Sequence, residues 1–334
     1  MSVMSNATID GVDSFDLHEF FDYADYFYYS YNFSETETVL CAPEDHENNL
    51  LSALYCLFFV VGFIGNALVV WVITVGTQMK SMTDVCLLNL ALADLLLVLS
   101  LPFLAYEFNY GWIFGEDMCS LVLGIYFIGF YGGIFFIVLM SIDRYLAVVH
   151  AILALRVRTK TRGIVASLVI WVLAVAASFP ELLHIRTMQS TKVTRCIAYP
   201  REMLVAIASI KMNIVGLLVP LIIVGFCYSM ILRKLYGSHS SKKHSMRLIV
   251  VVMVVFFCCW TPHNIAVFIR GLLIMDVIPK NCLFLKQILL TVEITEAVAV
   301  SHSCLNPFLY VFVGGKVRRH LLRLFRERRY ICCK

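Results

Sequence analysis

Residues Leu50–Met79 read LLSALYCLFFVVGFIGNALVVWVITVGTQM, a stretch without a single Asp, Glu, Lys or Arg. About 20 mostly apolar residues are enough for a helix to cross the hydrocarbon core of a bilayer. Because that core offers no water to the backbone, such a segment must satisfy its own N–H and C=O groups, as a helix does. The stretch therefore predicts a transmembrane helix and decides the fold class of the chain.

Six further stretches share this apolar character. They are Val85–Tyr106, Met118–Ile142, Gly163–Pro180, Met203–Leu232, Leu248–Ile269 and Gln287–Phe312. The whole chain is 60% hydrophobic and only 15% charged, whereas a soluble chain uses about 25% charged residues. We predict an all-α membrane protein, a seven-transmembrane helix bundle over residues 50–313. Soluble enzymes and nucleic-acid-binding proteins are excluded.

The two ends of the chain carry opposite charge. Residues 1–50 hold eleven acidic residues and no Lys or Arg, while residues 314–334 hold eight Lys and Arg against one Glu. With the amino terminus outside, the inner segments hold eighteen Lys and Arg and the outer segments seven. The positive-inside rule therefore predicts a multi-pass plasma-membrane protein with an extracellular amino terminus and a cytoplasmic carboxyl terminus.

This orientation divides the chain into three parts. Residues 1–49 form an acidic, tyrosine-rich extracellular tail, residues 50–313 the bundle, and residues 314–334 a basic cytoplasmic tail. Within that last tail, Lys316–Phe325 predicts a short amphipathic helix on the lipid of the inner leaflet. No cleavable leader is visible, so we expect the first helix to direct its own insertion.

The cysteines and sequons fit this topology. Four cysteines fall in outer segments, an even number that predicts two disulfides whose pairing the spacing leaves open among three arrangements. They are Cys41, Cys119, Cys196 and Cys282. Asn6 and Asn32 begin glycosylation sequons on the outer tail, and Cys332 and Cys333 are candidates for S-acylation on the inner side. No catalytic constellation and no metal-ligand spacing is found, so we expect neither an enzyme nor a metalloprotein.

Short motifs recur in order along the seven helices. Asp143-Arg144-Tyr145 closes the third, Cys259-Trp260-Thr261-Pro262 lies in the sixth, and Asn306-Pro307-Phe308-Leu309-Tyr310 lies in the seventh. Single residues mark the other helices: Asn66, Asp94, Trp171 and Pro220. The set resembles the rhodopsin-like G protein-coupled receptors. The run DRYLAVVHAILALRVRT, from Asp143 to Thr159, is similar to the second inner loop of C-C chemokine receptors.

The resemblance implies a cell-surface receptor for a basic chemokine, most closely of the C-C type. Such a receptor activates an inhibitory-class heterotrimeric G protein, releases calcium and directs cell migration. The alternative is a non-signalling chemokine scavenger or decoy receptor, and the intact Asp143-Arg144-Tyr145 argues against it. The resemblance also implies two disulfides, Cys119–Cys196 and Cys41–Cys282.

Glu296 is the leading candidate for ligand binding. An ionisable side chain inside an apolar helix is costly unless it has a partner or a task. The resemblance implies that Glu296 meets an amino group near the amino terminus of the ligand. The alternatives are an internal salt bridge and a neutral Glu. Matched pocket positions are Tyr55, Tyr126 and Trp260.

The outer tail is a second candidate binding segment. Its tyrosines lie beside acidic residues, so they are candidates for sulfation. The acidic residues would attract a basic protein. They include Tyr23, Tyr26, Tyr28 and Tyr29. The alternative is an ordinary disordered acidic tail.

Arg144 is the proposed switch at the inner end. At rest we expect it to pair with Asp143, and on activation to face the G protein. The resemblance assigns the other switch and coupling positions to Tyr145, Tyr228, Asn306, Pro307 and Tyr310. It also suggests an allosteric sodium ion, the one cofactor considered, at Asp94, Asn306 and Ser303.

Three further expectations concern single features. We expect Lys211 to extend toward the membrane surface and His302 to be a satisfied core histidine. Residues 314–334 contain no Ser or Thr, so arrestin recruitment should be weak or should depend on the third inner loop. The loop serines are Ser238, Ser240, Ser241 and Ser245.

Overall fold

The computed structural model describes residues 49–76, 81–189, 193–199, 201–236, 243–279 and 282–312. The predicted outer tail, apart from Asn49, and the whole inner tail with its amphipathic helix lie outside the described residues. The serines of the third inner loop lie outside the described residues or side chains. The same holds for several predicted sites: Asn6, Asn32, Tyr23, Tyr26, Tyr28, Tyr29, Cys41, Cys332, Cys333 and the side chain of Cys282.

Within these ranges the chain is almost entirely helical. In chain order, the helices are α1 (Asn49–Trp71), α2 (Met82–Tyr110), α3 (Gly115–Val149), α4 (Ala151–Val157), α5 (Lys160–His184), α6 (Glu202–Asn213), α7 (Val219–Leu235), α8 (Lys243–Ile274) and α9 (Cys282–Phe312). Two π-helical turns, Val72–Gly76 and Ile214–Leu218, extend α1 and join α6 to α7. Between α5 and α6 lie two antiparallel strands, β1 (Arg186–Gln189) and β2 (Thr194–Ile197).

Seven long helical rods form the bundle: α1, α2, α3, α5, the joined α6–α7, α8 and α9. In the described part of the chain, six of them are long and apolar enough to cross a membrane. The seventh, α9, is 31 residues long and interrupts its apolar sequence with Glu293, Glu296 and His302. The predicted seven-helix fold is confirmed. The end of the bundle that holds the two strands is called the outer end, following the predicted orientation.

Compared with a soluble protein, this bundle exposes more large apolar side chains on its exterior and buries more polar side chains in its interior. Large apolar side chains face away from the bundle: Val172 is 68% exposed and Ile222 61% exposed. Charged and amide side chains are buried, with Asp94 only 2% exposed and Asn306 fully covered. Lipid solvates the apolar exterior, and polar groups avoid lipid by pairing between helices.

Local sequence sets several helix ends. Ser81 caps α2: its hydroxyl accepts from Asp84 N at 3.2 Å, and the Asp84 carboxylate accepts from Ser81 N at 3.2 Å. This reciprocal arrangement satisfies two free backbone donors at the start of the helix. At the other end α2 stops at Gly111, whose φ of 76° favours glycine. The chain can therefore turn there toward α3.

Helices α2 and α3 approach until their backbones nearly touch. A Cβ atom added to Gly129 of α3 would lie 2.8 Å from both Ala93 O and Leu97 N of α2. Backbone atoms cannot rotate away as a flexible side chain can, so only glycine fits. Close packing here fixes the separation of two helices that carry pocket and switch residues.

Substituting Gly129→Ala should therefore destabilise the folded protein by about 1–3 kcal/mol, the usual cost of overpacking. Gly225→Ala is the matched control, because a Cβ at Gly225 of α7 meets nothing within 4 Å. The control should be neutral or slightly stabilising, since Gly weakens a helix by roughly 0.5–1 kcal/mol relative to Ala. Thermal unfolding of both variants in detergent measures the difference, and equal midpoints would contradict the close approach.

Candidate functional site

Glu296 meets a tyrosine from across the bundle. Tyr126 on α3 donates its hydroxyl hydrogen to Glu296 Oε1 on α9 at 2.8 Å. Tyr126 is 6% exposed and Glu296 is half-buried. No described Lys, Arg or His lies within 4 Å of the Glu296 carboxylate, so the alternative of an internal salt bridge finds no support in the described residues. The carboxylate thus keeps acceptor capacity for a ligand.

Two more predicted pocket residues are linked to Glu296, Tyr55 directly and Trp260 through His263. Tyr55 on α1 is 1% exposed, contacts the Phe108 ring edge-on at 5.2 Å, and lies in electrostatic range of Glu296. Trp260 on α8 is fully buried, and its ring lies 5.8 Å from that of His263, which is itself in electrostatic range of Glu296. The structure therefore brings residues of α1, α3, α8 and α9 to one site.

The two strands are tied to the outer end by the predicted disulfide. Cys119 at the start of α3 bonds Cys196 on β2, with Cα atoms 5.6 Å apart, which confirms that pairing. Glu107 adds a link that the sequence did not reveal: its carboxylate Oε1 accepts from Cys196 N at 2.7 Å. Arg195 Nη1 donates to the Glu107 carbonyl at 2.9 Å. The hairpin is thereby fixed against α2 and α3, next to the pocket.

Lys211 does not extend to the membrane surface, and this expectation was wrong. Its ammonium group forms an ion pair with Glu181, which is 2% exposed, and donates to Ala177 O at 2.8 Å. Tyr131 donates to the same Glu181 carboxylate at 3.3 Å. Tyr199 lies two residues after the end of β2. Its burial and the nearby Glu181 carboxylate raise the pKa of its hydroxyl. Helix α5 runs past Pro180 to His184, so Glu181 lies in the helix and supplies a buried counter-charge.

Asp94 and Asn306 meet in the middle of the bundle. Asn306 Nδ2 donates to Asp94 Oδ2 at 2.8 Å, and His302 Nε2 lies 3.6 Å from Asp94 Oδ1. Trp260 Nε1 donates to His302 Nδ1 at 3.1 Å, so His302 is a partnered core histidine as expected. Ser303, the third predicted sodium ligand, donates its hydroxyl to Val300 O of its own helix at 2.7 Å.

Asp143 is the centre of the inner end and is fully buried. Arg158 binds both its oxygens, Nε to Oδ1 at 2.6 Å and Nη2 to Oδ2 at 3.0 Å. Arg144 Nε lies 3.7 Å from Asp143, and its Nη2 donates to Thr83 Oγ1 at 2.7 Å. Thr83 in turn donates to Asp143 at 2.9 Å. The predicted pair is present, but Arg158 is the stronger partner.

The remaining switch residues lie around this cluster or farther along α9. The Tyr145 hydroxyl is 3.0 Å from His150 Nε2, and Tyr228 is in electrostatic range of Arg144. Tyr310 is 1% exposed, and its hydroxyl has no hydrogen-bond partner among the described residues. Pro307 interrupts α9, and its ring packs against the backbone at Gly65 of α1.

Comparison with known proteins identifies the family. The model of the seven-transmembrane receptors of the rhodopsin family matches residues 65–310. Human C-C chemokine receptor type 4 is 42% identical over 290 residues, 85% of this chain and 80% of the relative. Human C-C chemokine receptor type 1 is 41% identical over 286 residues, 84% and 80% of the two chains. Human C-C chemokine receptor type 8 is 40% identical over 282 residues, 83% and 79%.

The chain belongs to the C-C chemokine receptors. It is thus a multi-pass membrane receptor of the rhodopsin family, and that family is not enzymatic.

Three polar contacts near the candidate sites, those of Glu107, Glu181 and Arg158, could not be predicted from the sequence. Glu107 and Glu181 each follow directly after a predicted transmembrane stretch, so they were placed outside the helices that contain them. The position of each Glu directly after an apolar stretch was a sequence signal that the helix could continue through it and bury its carboxylate. Arg158 gave none, because its position in an inner segment explained its charge without a buried partner.

The pair of Glu181 and Lys211 yields a stability test. Lys211→Met leaves the Glu181 carboxylate buried without its cation, which should cost about 3–5 kcal/mol. Lys234→Met, the same change at an exposed site on α7, should leave the thermal midpoint of the receptor unchanged. The double variant Lys211→Met with Glu181→Met removes both charges and should recover most of the loss. A Lys211→Met midpoint equal to that of the control would contradict the assignment.

Proposed function

We propose that this receptor binds a basic C-C chemokine at its outer end and activates an inhibitory-class heterotrimeric G protein inside the cell. Calcium release and cell migration follow from that coupling. The observation that carries the proposal is the half-buried Glu296 carboxylate, which accepts from Tyr126 across the bundle and has no cation partner among the described residues. The three relatives named above, each a C-C chemokine receptor, support the ligand class.

The chemistry of the pocket suits the amino terminus of a protein ligand. Tyr126 occupies one acceptor position of the Glu296 carboxylate, and a carboxylate offers several. A ligand ammonium group can take another, and hydrogen bonds to charged groups contribute about 1.5–3 kcal/mol. Tyr55, in electrostatic range of Glu296, would supply an aromatic ring that favours a cation. The eleven acidic residues within residues 1–50 would attract the basic body of the same ligand.

The inner cluster suits a switch. Arg144 is held by Thr83, while Arg158 neutralises much of the Asp143 charge. A small outward movement of α8 would expose Arg144 to a G protein, since Pro262 removes one backbone hydrogen bond and permits α8 to bend. Tyr310, with its unused hydroxyl, is a candidate for rearrangement in the same step.

We also propose that Asp94 and Asn306 would hold the allosteric sodium ion. Asn306 Oδ1 and Asn66 Oδ1 are buried without a hydrogen-bond partner among the described residues, and Asn306 binds the Asp94 carboxylate. Hard cations prefer oxygen ligands of this kind. The ion would neutralise Asp94, in competition with His302. Ser303 donates its hydrogen to Val300 O, so the lone pairs of its hydroxyl oxygen stay available to an ion.

Glu296→Gln tests the proposed ligand contact. Cells that express the receptor are exposed to a panel of basic C-C chemokines, and inhibition of cyclic AMP and calcium release are recorded together. The variant should lose potency about tenfold or more, because removing a charge-assisted contact of about 1.4 kcal/mol already changes affinity tenfold. Surface expression should persist.

Glu116→Gln is the control, since Glu116 is exposed at the start of α3 and pairs only weakly with Arg186 at 3.7 Å. It should keep full potency. Unchanged potency of Glu296→Gln would refute the contact, and a panel without binding would refute the ligand class. Binding with neither response would indicate a scavenger.

A further inference from the structure

We infer that Glu293 forms a second anionic subsite beside Glu296, with Arg195 of β2 as its resident counter-ion. The pocket would then select ligands whose amino-terminal residues carry a second cation in addition to the terminal amine. The inference rests on the proposed function for the identity of the ligand, but the subsite itself is argued from the geometry of α9, α1 and β2.

Glu293 and Glu296 lie on one face of α9. Residues three apart in a helix are surface neighbours, with Cβ atoms about 5–6 Å apart. Both side chains are half-buried, and the two carboxylates are in electrostatic range of each other. Glu293 lies one turn closer to the outer end than Glu296. A ligand entering from outside would therefore meet Glu293 first and Glu296 next.

Tyr55 gives independent evidence that this place is built for a ligand. Its side chain is 1% exposed and lies in electrostatic range of both Glu296 and Glu293. Its hydroxyl forms no hydrogen bond with any residue that the structure describes. Buried polar side chains nearly always have a partner. The phenol is therefore in electrostatic range of both carboxylates without a hydrogen bond to a described residue, and we expect it to serve a third group.

Arg195 compensates Glu293 only in part. Its Nη1 is fixed on the carbonyl oxygen of Glu107 at the end of α2, at 2.9 Å. It is in electrostatic range of both Glu107 and Glu293, and no described cation lies within 4 Å of the Glu293 carboxylate. Glu293 is thus influenced by a guanidinium group that is held on another residue. A ligand cation can bind Glu293 directly and replace the weak influence of Arg195.

The ligand class follows from this charge pattern. One ammonium group binds Glu296 and Tyr126, and the second binds Glu293 and the Tyr55 hydroxyl. Both groups must be joined by a short flexible chain, as the α-amine and the side chain of an amino-terminal lysine are. A ligand with a single amine would leave one carboxylate without a direct partner.

Lysine amide and norleucine amide test the subsite without a chemokine. They differ by one ammonium group and are otherwise close in shape. Each is titrated onto the purified full-length receptor in detergent, and the thermal unfolding midpoint is recorded at constant ionic strength. The wild-type receptor should respond to lysine amide at about tenfold lower concentration than to norleucine amide. A tenfold change in affinity corresponds to one additional contact of about 1.4 kcal/mol.

Three variants make the result specific. Glu293→Gln should abolish the difference between the amides, while Glu116→Gln, which removes an outer acidic charge away from the pocket, should preserve it. Arg195→Gln removes the competing cation and should lower the concentration of lysine amide that is required. The Arg195→Gln variant tests the subsite independently if the Glu293→Gln receptor cannot be produced in folded form.

Equal responses of the wild type to both amides would overturn the inference. So would a difference that survives in Glu293→Gln, an equal loss for both amides in that variant, or an unchanged lysine amide response in Arg195→Gln. A chemokine panel without binding, together with intact selectivity for lysine amide, would refute the proposed function and leave the subsite standing. Chemokine binding without that selectivity would do the reverse.

Discussion

Polar groups in the hydrocarbon core of a membrane must find partners within the protein, because no water is there to solvate them. This constraint makes the backbone helical, and it also decides where side chains pair. The principal polar contacts each join two elements: Tyr126 with Glu296, Glu181 with Lys211, Asp94 with Asn306, and Asp143 with Arg158. The contacts that fix the helices therefore also form the candidate functional sites.

Helix α9 takes part in several of these contacts. Glu296 lies near its outer part, His302 reaches Trp260, and Asn306 binds Asp94. Four residues beyond Asn306, Tyr310 is buried with its hydroxyl unpaired among the described residues. A ligand that pulls on Glu296 would thus act on a helix that already contacts the centre of the bundle. In the proposed function, this continuity connects an outer pocket to Arg144.

Much of this arrangement could be predicted from sequence. The number of membrane crossings follows from the number of apolar stretches. Glu296 could be singled out as a candidate site residue because a charge inside an apolar helix is costly. The Cys119–Cys196 pairing needed the resemblance, since spacing alone allowed three pairings. Helix rotations and exact ends could not be predicted. Glu181 lay one residue beyond its predicted helix, so the partner of Lys211 was invisible, and Arg158 reaches Asp143 only through the fold of α4 and the turn after it.

The proposed function requires that Glu296 face a water-accessible pocket open to the outside, while Ile294, two residues earlier on α9, faces lipid. A membrane-impermeant thiol reagent on intact cells tests it most directly. Glu296→Cys should react well above the background of the unsubstituted receptor, whereas Ile294→Cys, at a position 52% exposed on the apolar exterior, should not. Labelling of Glu296→Cys that requires permeabilised cells, or that is no faster than that of Ile294→Cys, would contradict the proposed outer pocket.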